Sequence, residues 1–218
     1  MLNRFNALAA LTLLALPQAH AIDYQEARRA DGSAIYYTLD TPKGEASGLL
    51  VLSQGSGCAR AAESVNLATV RAAFPTYAAL IVEKVGIAPD VEITDPTTGC
   101  PAQFLDNYTV SQRVADYQIV LAALTADPQV STDQIVLFGG SEGGLAMALL
   151  AERLPVTAAI LLSTATGETF GDMVLSTVPE EAQVPVRAGF DAARANPESS
   201  ELHGGSTYRF WADSLDLR

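Results

Sequence analysis

Histidine is almost missing from this chain, with two in 218 residues, and cysteine is equally scarce. His20, His203, Cys58 and Cys100 do not form a ligand set with metal-binding spacing, so no metal site is indicated. Basic residues are few as well: 13 Lys and Arg stand against 25 Asp and Glu, a formal charge of −12. That balance excludes the basic footprint of a nucleic-acid binder and weakens attraction to anionic membranes, but it selects no substrate. Neither Gly-Lys-Ser/Thr nor Gly-x-Gly-x-x-Gly occurs, which removes the usual phosphate and dinucleotide cradles, and no other cofactor is indicated. Internal repeats and low-complexity tracts are absent.

What is there begins at the N-terminus. Arg4, an uncharged run at residues 7–16, Pro17 and Ala19-His20-Ala21 have the three zones of a secretory signal peptide. The run is too short to span a bilayer and no stop-transfer segment follows. Cleavage after Ala21 is expected, giving a mature chain that starts at Ile22, carries a charge of −13 once Arg4 is removed, has no membrane span and is periplasmic or secreted. In an oxidising compartment the Cys58 and Cys100 pair is expected to be bridged. Such a bridge closes a loop of roughly 43 residues, worth about 4 kcal/mol on the chain-entropy account.

Residues 24–41 carry Asp31-Gly32 between two moderately apolar arms, the pattern of a β-hairpin. Four continuous apolar blocks follow: Leu49-Leu50-Val51-Leu52, Ala79-Leu80-Ile81-Val82, Ile135-Val136-Leu137-Phe138 and Ala158-Ala159-Ile160-Leu161-Leu162. Blocks of this kind suit strands buried on both faces. Between them, Val110, Val114, Tyr117, Leu121 and Leu124 form one apolar stripe at helical spacing, with Arg113, Asp116 and Gln118 on the other face. Asn107 or Thr109 can cap that helix, and Asp127-Pro128 stops it. A shorter helix is expected over 61–74, and another over 142–153 whose apolar girth requires burial. Alternating strands and helices predict a mostly parallel α/β sheet with right-handed crossovers, in one domain over residues 22–165.

Gly139-Gly140-Ser141-Glu142-Gly143 matches G-x-S-x-G between a strand block and the buried helix, the setting of a nucleophile elbow. Small neighbours let strand and helix backbones approach closely, and the strained turn lifts the serine hydroxyl above the sheet. The Glu142 N–H, at the helix N-terminus, can donate to an oxyanion, while its side chain is expected to be solvated or at a pocket rim. The second donor is sought in Ser53-Gln54-Gly55-Ser56-Gly57-Cys58, directly after an earlier strand: Ser56 N–H, with Gly55 allowing the approach. An ordinary tight turn would also account for that loop.

These residues, together with Glu83-Lys84-Val85-Gly86 and Arg113-Val114-Ala115-Asp116-Tyr117, give the chain over roughly 45–165 a resemblance to the α/β-hydrolase superfamily. It resembles in particular the secreted or periplasmic serine hydrolases whose elbow reads GSEGG. The resemblance implies a three-layer α/β-hydrolase fold and attack by Ser141 on an ester, thioester or amide of a small-molecule acyl substrate through an acyl-enzyme.

The pattern then departs. The order serine, acid, histidine requires two further strands, and none is evident after Leu162. Residues 166–218 read as helices and loops resembling the start of a helical cap, with Tyr208, Trp211 and Leu215 at helical spacing. One reading is a C-terminally truncated chain whose late strands, acid and base lie past residue 218. The other makes His203 the base, oriented by Asp172, Asp191 or Asp213. Phe170, Met173, Phe210 and Trp211 could line an acyl pocket or be ordinary core. A non-catalytic binding protein on the same scaffold and an acyltransferase are the competing functions.

Overall fold

The computed structural model describes residues 22–127, 130–164 and 167–218; the segment read as a signal peptide, with His20, and Pro128 lie outside the described residues. Six strands form one sheet: β1 (Gln25–Arg28), β2 (Ala34–Asp40), β3 (Leu49–Ser53), β4 (Ala78–Val82), β5 (Ile135–Gly140) and β6 (Ala158–Leu162), in the order β1-β2-β4-β3-β5-β6. The hairpin strands β1 and β2 run antiparallel to their neighbours, and β4, β3, β5 and β6 are mutually parallel. The fold is thus a mostly parallel sheet flanked by helices.

The apolar blocks explain the layering. In β3, Leu49 and Val51 face one core cluster, shared with helices α3 (Val110–Thr125) and α4 (Glu142–Ala151). Leu50 and Leu52 face the other, closed by Leu67 of α1 (Val65–Ala72). Continuous apolar runs are needed where both faces are covered. The register places Ser53, the last residue of β3, beside Gly139 of β5, so the loops leaving both strands emerge together at the carboxyl edge. That edge is where open α/β sheets bind ligands.

Three expectations are corrected. Helix 61–74 is two pieces, a 3₁₀ turn at Ala61–Glu63 and then α1, because the Ser64 hydroxyl accepts the Leu67 N–H and starts a new helix. Strand β6 is not buried on both faces: among the described residues it lies at the sheet edge, paired only with β5, and leaves Leu162 51% exposed. Arg113 and Asp116 do not form a solvated face of α3. Both are buried, Asp116 because Arg29 grips it with two hydrogen bonds of 2.8 and 2.7 Å that pin the β1–β2 hairpin to the helix. Thr109, rather than Asn107, caps α3 by accepting the Gln112 N–H at 3.0 Å.

After β6 the chain forms α5 (Phe170–Thr177), α6 (Glu180–Ala195), a two-residue-per-strand hairpin of β7 (Leu202–His203) and β8 (Ser206–Thr207), and α7 (Tyr208–Ser214). Phe170, Phe190, Phe210 and Trp211 pack together as rings 4.9 to 6.2 Å apart and join the same core as α3 and α4. Asp213 accepts the Ser111 N–H at 3.0 Å and ties α7 to the start of α3. Among the described residues no helix is long and apolar enough to cross a membrane.

Candidate active site

Ser141 occupies the turn between β5 and α4 with φ 53° and ψ −128°, a left-handed conformation that a non-glycine residue holds at a cost of about 1–3 kcal/mol. Three neighbours hold it there. The Ser141 N–H donates to the Leu162 carbonyl at 2.8 Å, fastening the turn to the end of β6. A Cβ on Gly139 would lie 2.5 Å from the Gly143 carbonyl carbon, and one on Gly143 would lie 2.6 Å from the Ser53 carbonyl oxygen. Only glycine lets the α4 backbone come this close to β5 and to the end of β3.

The loop after β3 passes directly beside the serine. A Cβ built on Gly55 would stand 3.6 Å from the Ser141 Cβ, ordinary van der Waals contact, so Gly55 and Ser141 are neighbours and Ser56 comes next along the loop. Ser141 and Ser56 are both exposed. Glu142 is the first residue of α4, and its N–H is one of the donors that a helix leaves without an internal partner.

The Glu142 side chain is neither solvated nor at a rim. It is 3% exposed, and its Oε1 is the centre of a buried cluster: it accepts from Lys84 Nζ at 3.2 Å, from Arg113 Nη1 at 3.3 Å and from the Tyr108 hydroxyl. Burial alone would raise the carboxyl, but the two cations and the tyrosine bond outweigh it and hold Glu142 below its ordinary value. Burial pushes Lys84 down to about 8, with Arg113 adding to the depression and Glu142 opposing it. Burial and the adjacent Glu142 charge raise Tyr108 well above the usual phenol range.

The cluster grips the loop beside the serine. Lys84 Nζ donates to the carbonyls of Gly55 and Gly57, each at 2.7 Å, and Arg113 Nη2 donates to that of Gln54 at 2.7 Å. The preceding residue, Glu83, turns the other way and accepts the Ala61 and Ala62 N–H groups at 2.7 and 3.0 Å. Two consecutive charged residues at the end of β4 therefore splint the 54–62 segment at both ends. The Cys58–Cys100 disulfide, with Cα atoms 5.6 Å apart, adds a third tie, and the Cys58 N–H donates to the Pro96 carbonyl at 2.8 Å.

Sequence reasoning singled out Ser141, Gly55 and Ser56, expected the Cys58–Cys100 bridge that the structure contains, and quoted Lys84 and Arg113 without giving them a task. Tyr108 was missed. The available signal was a Glu-Lys pair placed straight after an apolar strand, where a solvated loop would be expected.

His203 sits apart from this arrangement. Its ring fills the space over Gly189 of α6, where a Cβ would overlap it, and packs edge-on to Phe190 and Trp211 at 6.0 and 6.4 Å. The Trp211 indole N–H donates to the His203 carbonyl at 2.7 Å. Among the described residues, no hydrogen bond or ion pair joins the ring to Ser141 or to a carboxylate. Of the three acids considered as its partner, Asp172 bonds Thr169, Asp191 faces Arg194 and Asp213 holds the Ser111 N–H.

A cavity of about 230 Å³ opens beside the loop, between Ser56 and Gly57, Glu142, the α2 helix (Ala102–Asn107), and the β7–β8 hairpin with Phe210. Phe210 lines it; Phe170, Met173 and Trp211 do not.

No protein-family model matches the sequence, and no curated protein matches it. Solved structures do match in fold. Est1E from Butyrivibrio proteoclasticus, in its ferulic-acid-bound structure, aligns with a TM-score of 0.57 at 18% identity over 89% of this chain and 72% of that one. DcsB in complex with its substrate analogue aligns at 0.54 and 16% identity, over 80% and 53%. The α/β hydrolase GrgF from Penicillium sp. sh18 aligns at 0.52 and 17%, over 88% and 62%. This chain thus spans little more than half the length of the last two. At such identities the likeness establishes the α/β-hydrolase fold.

Proposed function

We propose that the chain is a serine hydrolase cleaving an ester, thioester or amide of a small acyl substrate. Ser141 Oγ gives its proton to a base and attacks the carbonyl, the N–H groups of Glu142 and Ser56 receive the developing oxyanion, the alcohol, thiol or amine leaves with that proton as its bond to the carbonyl breaks, and water then hydrolyses the acyl-enzyme. The observation that carries this reading is the left-handed Ser141, a strained polar residue held at a strand-to-helix turn in contact with a clamped loop. Strain of this kind persists where the surroundings over-determine it, and it concentrates at reactive positions. The hydrolase fold of the structural neighbours agrees with the reading, and GrgF, described as an α/β hydrolase, is among them.

Attack requires a base within reach of Ser141 Oγ. We take that base to be either His203, after displacement of the β7–β8 hairpin, or a group from polypeptide outside these 218 residues. The disulfide supports a periplasmic or secreted location.

A second reading is a binding protein that keeps the scaffold without turnover, favoured by the packing of His203 on Gly189. A fluorophosphonate probe separates the two. One adduct on the mature protein, lost in Ser141→Ala, is the expected result; no adduct on either the 218-residue chain or the full natural gene product leaves the binding protein. An adduct on the 218-residue chain that disappears in His203→Ala assigns the base.

A further inference from the structure

We propose that the cavity beside the loop is the subsite for an uncharged aryl acyl group, of benzoyl or cinnamoyl size. The proposal rests on the serine-hydrolase reading and names its substrate class. Position argues first: Ser56 and Glu142, the two residues whose N–H groups are assigned to the oxyanion, both line the cavity, and Glu142 directly follows Ser141 in the chain. Size argues next. About 230 Å³ lies below the roughly 300–1,000 Å³ of drug-sized pockets, enough for one ring and a short linker.

The wall chemistry selects a ring. Phe104, Tyr108 and Phe210 line the cavity with nearly parallel planes, Phe104 to Tyr108 at 15° and Tyr108 to Phe210 at 14°. The three rings give the cavity an aromatic wall, against which another ring can pack offset or edge-on. Charge selects neutrality. Among the described residues Glu142 is the one lining residue with a formal charge, and its carboxylate is already taken by Lys84, Arg113 and Tyr108. No lining cation is left to pair with a substrate carboxylate or phosphate, whose desolvation would go uncompensated. Thr97 and Ser206 add hydroxyl groups to the lining and suit a hydroxyl on the ring.

The test uses p-nitrophenyl benzoate, acetate, octanoate and 4-carboxybenzoate with the mature protein. Benzoate should exceed octanoate and 4-carboxybenzoate in kcat/KM by about tenfold or more. Ser206→Trp, which fills the cavity from the half-buried end of the β7–β8 hairpin, should lower the benzoate-to-acetate ratio by about tenfold, and Leu105→Trp from α2 should do the same. Preference for octanoate or the charged ester, or an unmoved ratio in both variants, overturns the proposal. If no ester is turned over, the fluorophosphonate probe decides the serine reading, and saturation-transfer NMR with methyl benzoate decides the subsite independently of it. Binding lost in Ser206→Trp keeps it, and no binding to the wild type removes it.

Discussion

Lys84 Nζ donates to the carbonyl of Gly55 at 2.7 Å, joining the end of β4 to the loop that runs beside Ser141. The same ammonium holds Gly57 and faces Glu142, whose backbone begins the helix behind the serine. A single buried cation therefore couples both walls of the site.

Replacing it should affect stability and rate together. Lys84→Met leaves the Gly55 and Gly57 carbonyls unpaired and Glu142 with one cation fewer. Breaking one partner of a buried ionic cluster costs about 3 kcal/mol or more. Urea denaturation should show that loss, and kcat/KM should fall by about 100-fold, as expected when a site loop shifts by about an ångström.

The lysine also gives the pH dependence a sign that can be checked. Its pKa is pushed from 10.5 down to about 8, chiefly by burial. Between those values the unfolded chain binds the proton that the folded chain releases, so this group's contribution to stability rises with pH from about 8 and is complete above the unfolded value. The hydrogen bonds behave oppositely, since loss of the proton removes one of three donors and the charge facing Glu142. The measured stability difference between wild type and Lys84→Met should therefore grow from pH 8 to 10, while wild-type kcat/KM declines with an apparent pKa near 8. A decline of the same shape in Lys84→Met would assign that limb to another group.

The cluster also shows what could and could not be read in advance. The strand blocks, the stripe of α3 and the glycines around Ser141 were legible because each is a local pattern with a single steric cause. The burial of Glu142, Lys84 and Arg113 was not, since a charge in a sequence window reads as solvated until its partner is known. Here the partners lie 29 and 58 residues from Glu142. Strand β6 errs in the other direction: an apolar run implies two covered faces, but coverage depends on a neighbour, and among the described residues β6 has one only at β5.

The disulfide ties Cys58, next to Gly57, to Cys100 in the cavity wall. Reduction should therefore loosen the clamped loop as well as destabilise the fold. Cys58→Ser with Cys100→Ser is expected to lose about 2–4 kcal/mol, because the bridge constrains a loop of roughly 43 residues in the unfolded chain. A urea midpoint that dithiothreitol lowers in the wild type and leaves unchanged in the double variant checks this.

Two glycines of the elbow make an internally controlled pair. A Cβ at Gly143 would overlap the Gln54 carbonyl oxygen and lie 2.6 Å from that of Ser53, both backbone atoms that cannot swing aside. At Gly140 a Cβ meets nothing within 4 Å, and the residue is not in the left-handed region. Gly143→Ala should thus cost about 1–3 kcal/mol of overpacking and push the loop away from Ser141. Gly140→Ala should stay within about 0.5 kcal/mol of the wild type, as substitutions without a steric conflict do. Since the displaced loop carries Ser56, the fluorophosphonate labelling rate of Gly143→Ala should fall by about tenfold or more, the scale set by losing one oxyanion donor. Equal rates in the two variants would show that the close approach of α4 to the end of β3 serves packing alone.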